Sequence, residues 1–212
     1  MAKNLKEDDF LFYSYDILCK NWPGITKKLG LHEDAFPKPE VKLIKRNYSE
    51  CDGEIIKLSY YDMLGSYAHE KIVRQGLEVK CEDIFKDDII HESVHYLQDK
   101  FYNIGDSHYG YTAEGLACMV GIDLLLEKKA YNFVATEIAY HFAEARKDYK
   151  DYFSLPEKYN KHIEDFIKGD YYKRSKKKSP YAKGFTFICE TYGRCDNYLE
   201  LLINPFYDAE AG

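Results

Sequence analysis

The chain carries His91-Glu92-Ser93-Val94-His95, in which two histidines lie four residues apart and a glutamate follows the first. Residues four apart lie on one face of a helix, so both imidazoles would point at a common position, where a zinc ion could bind. The glutamate lies beside this ligand pair and can accept a proton from a water at the metal. We therefore predict His91 and His95 as metal ligands and Glu92 as the general base.

The surrounding residues predict the helix that such a site needs. The segment from Lys86 to Tyr102 contains no Pro or Gly, and Asp87 or Asp88 can cap its start. Apolar residues recur in it at spacings of four and three: Ile90, Val94 and Leu97. An amphipathic helix with two half-buried histidines and no metal is the alternative, so the interpretation depends on a third ligand.

A third ligand is available at Glu114, which follows His95 after eighteen intervening residues. Zinc in a catalytic site usually takes three protein ligands and a water. The pattern predicts a second helix from Thr112, as N-cap, to Lys129, with Glu114 in its first turn and Gly115 allowing close approach to the first helix. The alternative for Glu114 is an acidic side chain that only favours the helix dipole.

These segments resemble the gluzincin metallopeptidases, and within them the family of aminopeptidase N and the leukotriene hydrolase aminopeptidase. That family carries His-Glu-x-x-His, eighteen residues, and a glutamate commonly found in Asn-Glu-Gly; this chain has Ala113-Glu114-Gly115. Downstream, Ser179-Pro180-Tyr181-Ala182-Lys183-Gly184-Phe185 resembles the family's Pro-Tyr-x-Lys-Gly-Phe segment, which opens a helix. The resemblance implies a zinc peptidase in which Tyr181 donates a hydrogen bond to the oxyanion.

The chain departs from the family where its aminopeptidases hold the substrate's amino terminus. Those enzymes carry Gly-x-Met-Glu-Asn a little before the histidine pair, whereas this chain has Leu64-Gly65-Ser66-Tyr67-Ala68-His69-Glu70 there. The choice between endopeptidase and aminopeptidase therefore stays open.

Gluzincins also hold extended peptides along a strand beside the active-site helix. The resemblance implies that role for the strand Glu54 to Tyr60, with Ile56 and Leu58 as substrate contacts; an ordinary sheet strand is the alternative. His108, in the loop before Glu114, is a further candidate for substrate binding.

Length and composition predict a single α+β domain. The 212 residues are 45% hydrophobic and 31% charged, and no apolar run approaches the roughly 20 residues of a membrane span. We expect a zincin-like small mixed sheet packed on a mainly helical body.

The predicted parts are a helical segment (1–39), the sheet with both site helices (40–130) and a helical C-terminal part (131–212). The predicted strands are 40–46 and 53–60, and the other helices are 8–31 with a break at Trp22-Pro23-Gly24, 131–152, 156–167 and 185–203.

Charge and cysteine content indicate the expected compartment and partners. The segment Met1 to Asp9 does not resemble a secretory signal, so we expect a cytoplasmic protein whose six cysteines are reduced. The basic run Lys173-Arg174-Ser175-Lys176-Lys177-Lys178 is expected to be a solvated loop, or alternatively to attract acidic substrates or nucleic acid. The net charge of -6 and the lack of interleaved aromatic residues argue against nucleic acid. A peptide or protein substrate is what the resemblance to the gluzincins implies.

The predicted function is therefore a zinc-dependent peptidase. Two alternatives stay open at this point. One is a silent or latent zincin-like domain that acts by binding a partner, although a pure binding protein has no need of Glu92. The other is a metal-dependent hydrolase of a non-peptide bond.

Overall fold

The structure is a computed structural model that describes residues 7–60, 70–102, 110–142, 148–168, 180–193 and 198–203. Its helices are α1 (Glu7–Lys28), α2 (Cys81–Tyr102), α3 (Tyr111–Glu127), α4 (Tyr131–His141), α5 (Glu157–Lys168), α6 (Pro180–Tyr192) and α7 (Leu199–Ile203). Its strands are β1 (Glu40–Ile44), β2 (Glu50–Cys51), β3 (Ile55–Ser59), β4 (Lys71–Arg74) and β5 (Leu77–Lys80). The predicted α+β class, mainly helical with small sheets, is confirmed.

The strands form a mixed three-stranded sheet and a separate hairpin. β3 is the central strand of the order β1-β3-β2, parallel to β1 and antiparallel to β2. β4 and β5 pair across Gln75 and Gly76, which both have positive φ, as the tight hairpin turn requires. The sequence analysis found β1 and β3 but neither β2 nor the hairpin. α2 packs against β3, so the sheet supports the helix that carries both histidines.

α1 continues through Pro23, so the predicted helix break is wrong. Proline removes one helical N–H donor, but here the Thr26 hydroxyl donates to the carbonyl oxygens of Trp22 (3.0 Å) and Pro23 (3.2 Å). The Trp22 ring is fully buried, and its indole N–H donates to the Glu33 carbonyl at 3.0 Å. Tertiary packing of this large side chain holds the helix on both sides of the proline.

Several other helix ends differ from the predicted ones. α2 begins at Cys81, so Asp87 and Asp88 lie inside it and do not cap it. α3 follows Gly110, which offers no side-chain cap, and Thr112 is buried within the helix. α4 ends at His141, and a separate 3-10 turn at Tyr149–Asp151 follows. The predicted helix 185–203 is instead α6, which begins at Pro180, and the short α7; Gly193, with φ +68°, follows the end of α6.

α3 is the central helix of the molecule. Its residues are buried almost without interruption from Gly115 to Leu125, and α2 and α6 pack against it. Gly115 lies against Gly184 of α6, where a Cβ atom on Gly115 would come within 2.1 Å of the Gly184 carbonyl carbon. The glycine expected to bring α3 close to α2 therefore brings it close to α6. The resulting core draws side chains from most of the described elements, from Phe10 on α1 to Leu202 on α7.

None of the described helices is both long and apolar enough to cross a membrane. The five cysteines within the described ranges carry free thiols: Cys19, Cys51, Cys81, Cys118 and Cys189.

Asp123 ties three helices together through a fully buried carboxylate. It accepts a hydrogen bond from the Tyr198 hydroxyl at 2.9 Å and lies 3.5 Å from the Lys28 ammonium group. We expect Asp123→Ala to lower the free energy of unfolding by about 3–5 kcal/mol, because it leaves buried polar partners uncompensated. Urea denaturation would measure the loss.

The matched control is Glu127→Ala, which removes the other carboxylate near Lys28. Glu127 lies 2.8 Å from the same ammonium group but is 54% exposed, so its loss should cost less than about 1 kcal/mol. Equal losses in the two variants would contradict a special role for the buried carboxylate.

Candidate metal centre

α2 and α3 bring the three predicted ligands to one point. Nε2 of His91 lies 3.0 Å from Nε2 of His95, and Oε2 of Glu114 lies 3.1 Å from the first and 3.3 Å from the second. The two histidines are one helical turn apart on α2, while the first turn of α3 supplies the carboxylate. Within the described ranges, these three residues form the group whose donor atoms could share a metal ion.

The triangle has dimensions suited to a small divalent cation. A tetrahedral ion with ligands at about 2.0–2.1 Å keeps its ligand atoms about 3.3–3.4 Å apart. The observed separations of 3.0–3.3 Å are close to one face of that tetrahedron. Two imidazole nitrogens and one carboxylate oxygen could therefore hold such an ion and leave its fourth position open.

Gln98 fixes the tautomer of His95. The Gln98 amide nitrogen donates to the Ala113 carbonyl at 3.1 Å, so its amide oxygen must face Nδ1 of His95, 2.7 Å away. That oxygen only accepts, and Nδ1 therefore carries a proton. Nε2 of a neutral His95 then presents a lone pair to Glu114, and two facing acceptors repel each other unless a proton or a cation lies between them. The arrangement thus favours a proton or a cation between the two atoms, and a metal ion is one way to supply it.

The electrostatics of the triangle keep its carboxylate ionised. Burial favours the neutral form of Glu114, but hydrogen bonds from His91 and His95 outweigh it and lower the pKa of Glu114 to about 2. Burial likewise favours the neutral form of His95, but the adjacent Glu114 carboxylate outweighs burial and raises the pKa of His95. In the absence of a metal ion, a proton on His95 stabilises the carboxylate, so metal binding would compete with protons.

Glu92 lies on α2 between the two histidines and is only 8% exposed. Burial raises its pKa above the ordinary value, while the neighbouring His91 and His95 oppose the rise. A carboxylate with a raised pKa is a stronger base than one in water, so its environment suits the role of proton acceptor.

Tyr181 lies across the site on α6. Its ring centroid is 5.7 Å from that of His91, and its side chain is 43% exposed. Burial of its hydroxyl end, followed by the charges of Glu114 and Glu92, raises the pKa of Tyr181 to about 12. The phenol therefore stays protonated near neutral pH and can donate a hydrogen bond to a negatively charged oxygen.

A cleft of about 340 Å³ gives access to these groups. His91, Glu92 and Tyr181 line it, as does Cys118, whose Sγ lies 4.0 Å from Nδ1 of His91. Burial raises the pKa of the Cys118 thiol well above the ordinary value, so in the absence of a metal ion it is a neutral thiol near neutral pH.

No known protein family, characterised protein or solved structure matches this chain. Its function is therefore inferred from the residues themselves.

The predicted substrate strand is not at a sheet edge. β3 lies between β1 and β2, and the side chains of Ile56 and Leu58 are buried in the core and do not line the cleft. Within the described part of the chain, the residues that border the cleft on this side are Asn47, Tyr48 and Ser49, just before β2. His108 and the basic run 173–178 lie outside the described residues.

Gln98 and three residues that line the cleft, Asp87, Glu137 and His141, were not predicted from the sequence. Gln98 lies three residues after His95, so helical spacing places both on one face and could have identified it. Asp87 lies one turn before His91 and lines the cleft in the same way. Glu137 and His141 line the cleft from α4, and their approach depends on tertiary packing that no sequence spacing shows.

Proposed function

We propose that the protein is a zinc-dependent peptidase of the gluzincin type. The observation that carries the proposal is the triangle of His91, His95 and Glu114, with its tautomer set by Gln98, beside a buried glutamate and a protonated tyrosine. Two imidazoles, one carboxylate and an open position match the ligand set of catalytic zinc and suit magnesium or calcium poorly. When bound, zinc supplies a Lewis acid that acidifies water and polarises a carbonyl group.

Glu92 would act as the general base. It lies off the ligand triangle but in the same cleft, where it can take a proton from the attacking water and deliver it to the leaving amine. Its near-complete burial keeps bulk water from solvating the carboxylate, which is why its pKa is raised. A protein that only binds a partner would gain nothing from a buried base at this position.

Tyr181 would stabilise the oxyanion that forms when water adds to the peptide carbonyl. It faces His91 from the opposite wall and keeps its proton near neutral pH. A preorganised neutral donor aimed at developing charge is worth about 3–4 kcal/mol of transition-state stabilisation. In this proposal the site would supply a metal triad, a base and an oxyanion donor in an open cleft, as metal-assisted amide hydrolysis needs.

The proposal is tested by metal content and peptide cleavage of the purified protein beside Glu92→Gln. We expect one zinc per chain in both proteins and cleavage of a mixed peptide library, read by mass spectrometry, in the unmodified protein. Loss of the base should lower the rate by about 10²- to 10⁴-fold while zinc content stays the same.

The matched control is Glu82→Gln, the same substitution at an exposed position in the first turn of α2. It should leave zinc content and cleavage unchanged. Zinc without cleavage in any variant would favour the binding or latent alternatives, and cleavage of esters or epoxides but not peptides would favour a non-peptide substrate. A chain that binds no zinc would contradict the proposal.

A further inference from the structure

Lys183 belongs to the segment Pro180-Tyr181-Ala182-Lys183-Gly184-Phe185, and the proposed chemistry gives it no role. Its ammonium group donates a hydrogen bond to the Tyr111 hydroxyl at 3.2 Å and lies 4.4 Å from the centroid of the same ring. An ammonium group at this distance is attracted to an aromatic ring, and the hydrogen bond adds a preferred direction. Two kinds of contact therefore join Lys183 of α6 to Tyr111 of α3.

Both members of this Lys183–Tyr111 pair lie close in sequence to residues of the candidate site. Tyr111 is the first residue of α3, three residues before Glu114, and Lys183 follows Tyr181 by two residues in α6. Neither Lys183 nor Tyr111 lines the cleft. Any effect of the pair on the proposed reaction would therefore act through the neighbouring site residues.

Tyr181 lies in the first turn of α6, where a helix is held least firmly. The first N–H groups of a helix have no partners within it, and helix ends fray. The later residues Phe185 and Ile188 are fully buried in the core, whereas Tyr181 is 43% exposed. The position of the Tyr181 hydroxyl therefore depends on contacts that hold this first turn in place.

Lys183 and Tyr181 project from opposite sides of the contact between α6 and α3. That contact is made by Gly184, where a Cβ atom would lie 1.5 Å from the Tyr111 carbonyl oxygen. Successive residues of a helix are about 100° apart, so Tyr181 lies about 60° from Gly184 in one direction and Lys183 about 100° in the other. The glycine contact limits how far apart the helices lie, and the Lys183–Tyr111 pair opposes a roll of the first turn about it.

A small roll would be enough to misplace the Tyr181 hydroxyl. Side-chain atoms lie about 5–6 Å from a helix axis, so a roll of about 10° moves them by about 1 Å. A displacement of about 1 Å at an active site can lower a rate by about a hundredfold. The Tyr181 ring lies 5.7 Å from that of His91, and a contact on the other side of α6 would hold it there.

We infer that Lys183 and Tyr111 are positioning residues that hold the Tyr181 hydroxyl in place for the proposed reaction. The inference rests on the proposed peptidase function for the role of Tyr181 as oxyanion donor. The alternative is a contact that only stabilises the fold, which would alter unfolding and leave the rate of the folded protein unchanged.

The first test is steady-state peptide cleavage by Lys183→Met, which removes the ammonium group and keeps an unbranched side chain. We expect kcat to fall about tenfold while KM and zinc content stay the same, because the oxyanion forms only in the transition state. Lys183→Arg keeps a cation that can stack on the ring and donate to the hydroxyl, so it should recover most of the loss. The matched control Lys158→Met removes a similar contact, 4.6 Å from the Tyr159 ring centroid, and should leave kcat unchanged.

The second comparison uses Tyr181→Phe, which lacks the hydroxyl that the pair would position. This variant alone should lower kcat by about 10²- to 10³-fold. Adding Lys183→Met to it should lower kcat further by less than about twofold, since residues that act as a unit are not additive. A full additional loss, or an unchanged kcat in Lys183→Met alone, would overturn the inference. Loss of zinc from Lys183→Met would also overturn it, because the pair would then position Glu114.

A spectroscopic measurement separates this inference from the proposed function. Protein with 3-fluorotyrosine in place of Tyr181 gives a fluorine NMR signal that needs neither metal nor turnover. We expect one narrow resonance, which Lys183→Met shifts, broadens or splits and which Lys183→Arg and Lys158→Met leave unchanged. The same resonance in Lys183→Met would contradict the inference even if the protein cleaves peptides. A changed resonance without cleavage by any variant would support the positioning role and contradict the peptidase.

Urea denaturation identifies any variant that is misfolded. If Lys183→Met does not fold, Tyr111→Phe takes its place in each comparison, because it removes the hydroxyl that accepts the hydrogen bond and keeps the ring. Its effects on kcat and on the fluorine resonance should be smaller and in the same direction. No effect on either quantity in a folded Tyr111→Phe protein would count against the inference.

Discussion

Replacing Glu114 with alanine is expected to lower the affinity for zinc by roughly a thousandfold. Structural zinc sites bind with about 10–16 kcal/mol, so one of four ligands accounts for about 3–4 kcal/mol. Glu114 supplies the negative charge of the triangle, at 3.1 and 3.3 Å from the two imidazole nitrogens. Without it, two neutral imidazoles would face the ion alone, and peptide cleavage should disappear with the metal.

The measurement is a competition titration against a chromophoric chelator at fixed pH. Glu127→Gln is the matched control, because it removes an exposed carboxylate from the same helix and should leave zinc affinity unchanged. Gln98→Leu should give an intermediate loss of about 10- to 100-fold, since Gln98 orients His95 without touching the ion. Full zinc binding by Glu114→Ala would show that the metal lies elsewhere.

The local parts of the site could be predicted from sequence because they depend on helical periodicity. His91, Glu92 and His95 belong to one helix, and a spacing of four determines which side chains share a face. Cys118 follows Glu114 by one turn on α3, and it lines the cleft for the same reason. The central position of the predicted substrate strand, β3, could not be predicted in this way. The alternation of apolar residues at Ile56 and Leu58 fits an edge strand and a central strand equally well. Only the pairing of β3 with β1 and β2 distinguishes the two.

Helix boundaries were the least predictable part of the fold, for identifiable physical reasons. Pro23 normally indicates a break, but burial of Trp22 and the hydrogen bonds of Thr26 hold α1 together across it. Glu137 and His141 were missed because they come from α4, which reaches the cleft through packing between residues far apart in sequence. Sequence spacing thus located the three candidate ligands and not the side of the cleft that α4 forms.

A second large effect, on the free energy of unfolding, is expected at Gly184, where the backbones of α3 and α6 lie close together. A Cβ atom there would lie 1.5 Å from the Tyr111 carbonyl oxygen and 2.8 Å from the Gly115 backbone nitrogen. These are backbone atoms at the start of α3, so no side-chain rotation can relieve the clash. We expect Gly184→Ala to lower the free energy of unfolding by about 3 kcal/mol or more, measured by urea denaturation.

Gly24→Ala is the matched control, because it adds the same methyl group at another helical glycine. Its nearest neighbour is Cδ2 of Leu124 at 2.9 Å, the end of a flexible side chain, and the gain in helix propensity offsets the crowding. Its unfolding free energy should stay within about 1 kcal/mol of the unmodified protein. Equal stability of both variants would show that α3 and α6 can separate at little cost.

The Gly184 contact also connects stability to the site. Glu114 precedes Gly115 on α3, and Tyr181 lies three residues before Gly184 on α6, so the Gly115–Gly184 contact bears on the distance between Glu114 and Tyr181. A methyl group that forces the two helices apart must move at least one of them relative to the histidines on α2. Any Gly184→Ala protein that still folds should therefore bind zinc more weakly, whereas Gly24→Ala should bind it normally. Weakened zinc binding in a folded Gly184→Ala protein would show that the Gly115–Gly184 contact positions the metal triangle as well as the core.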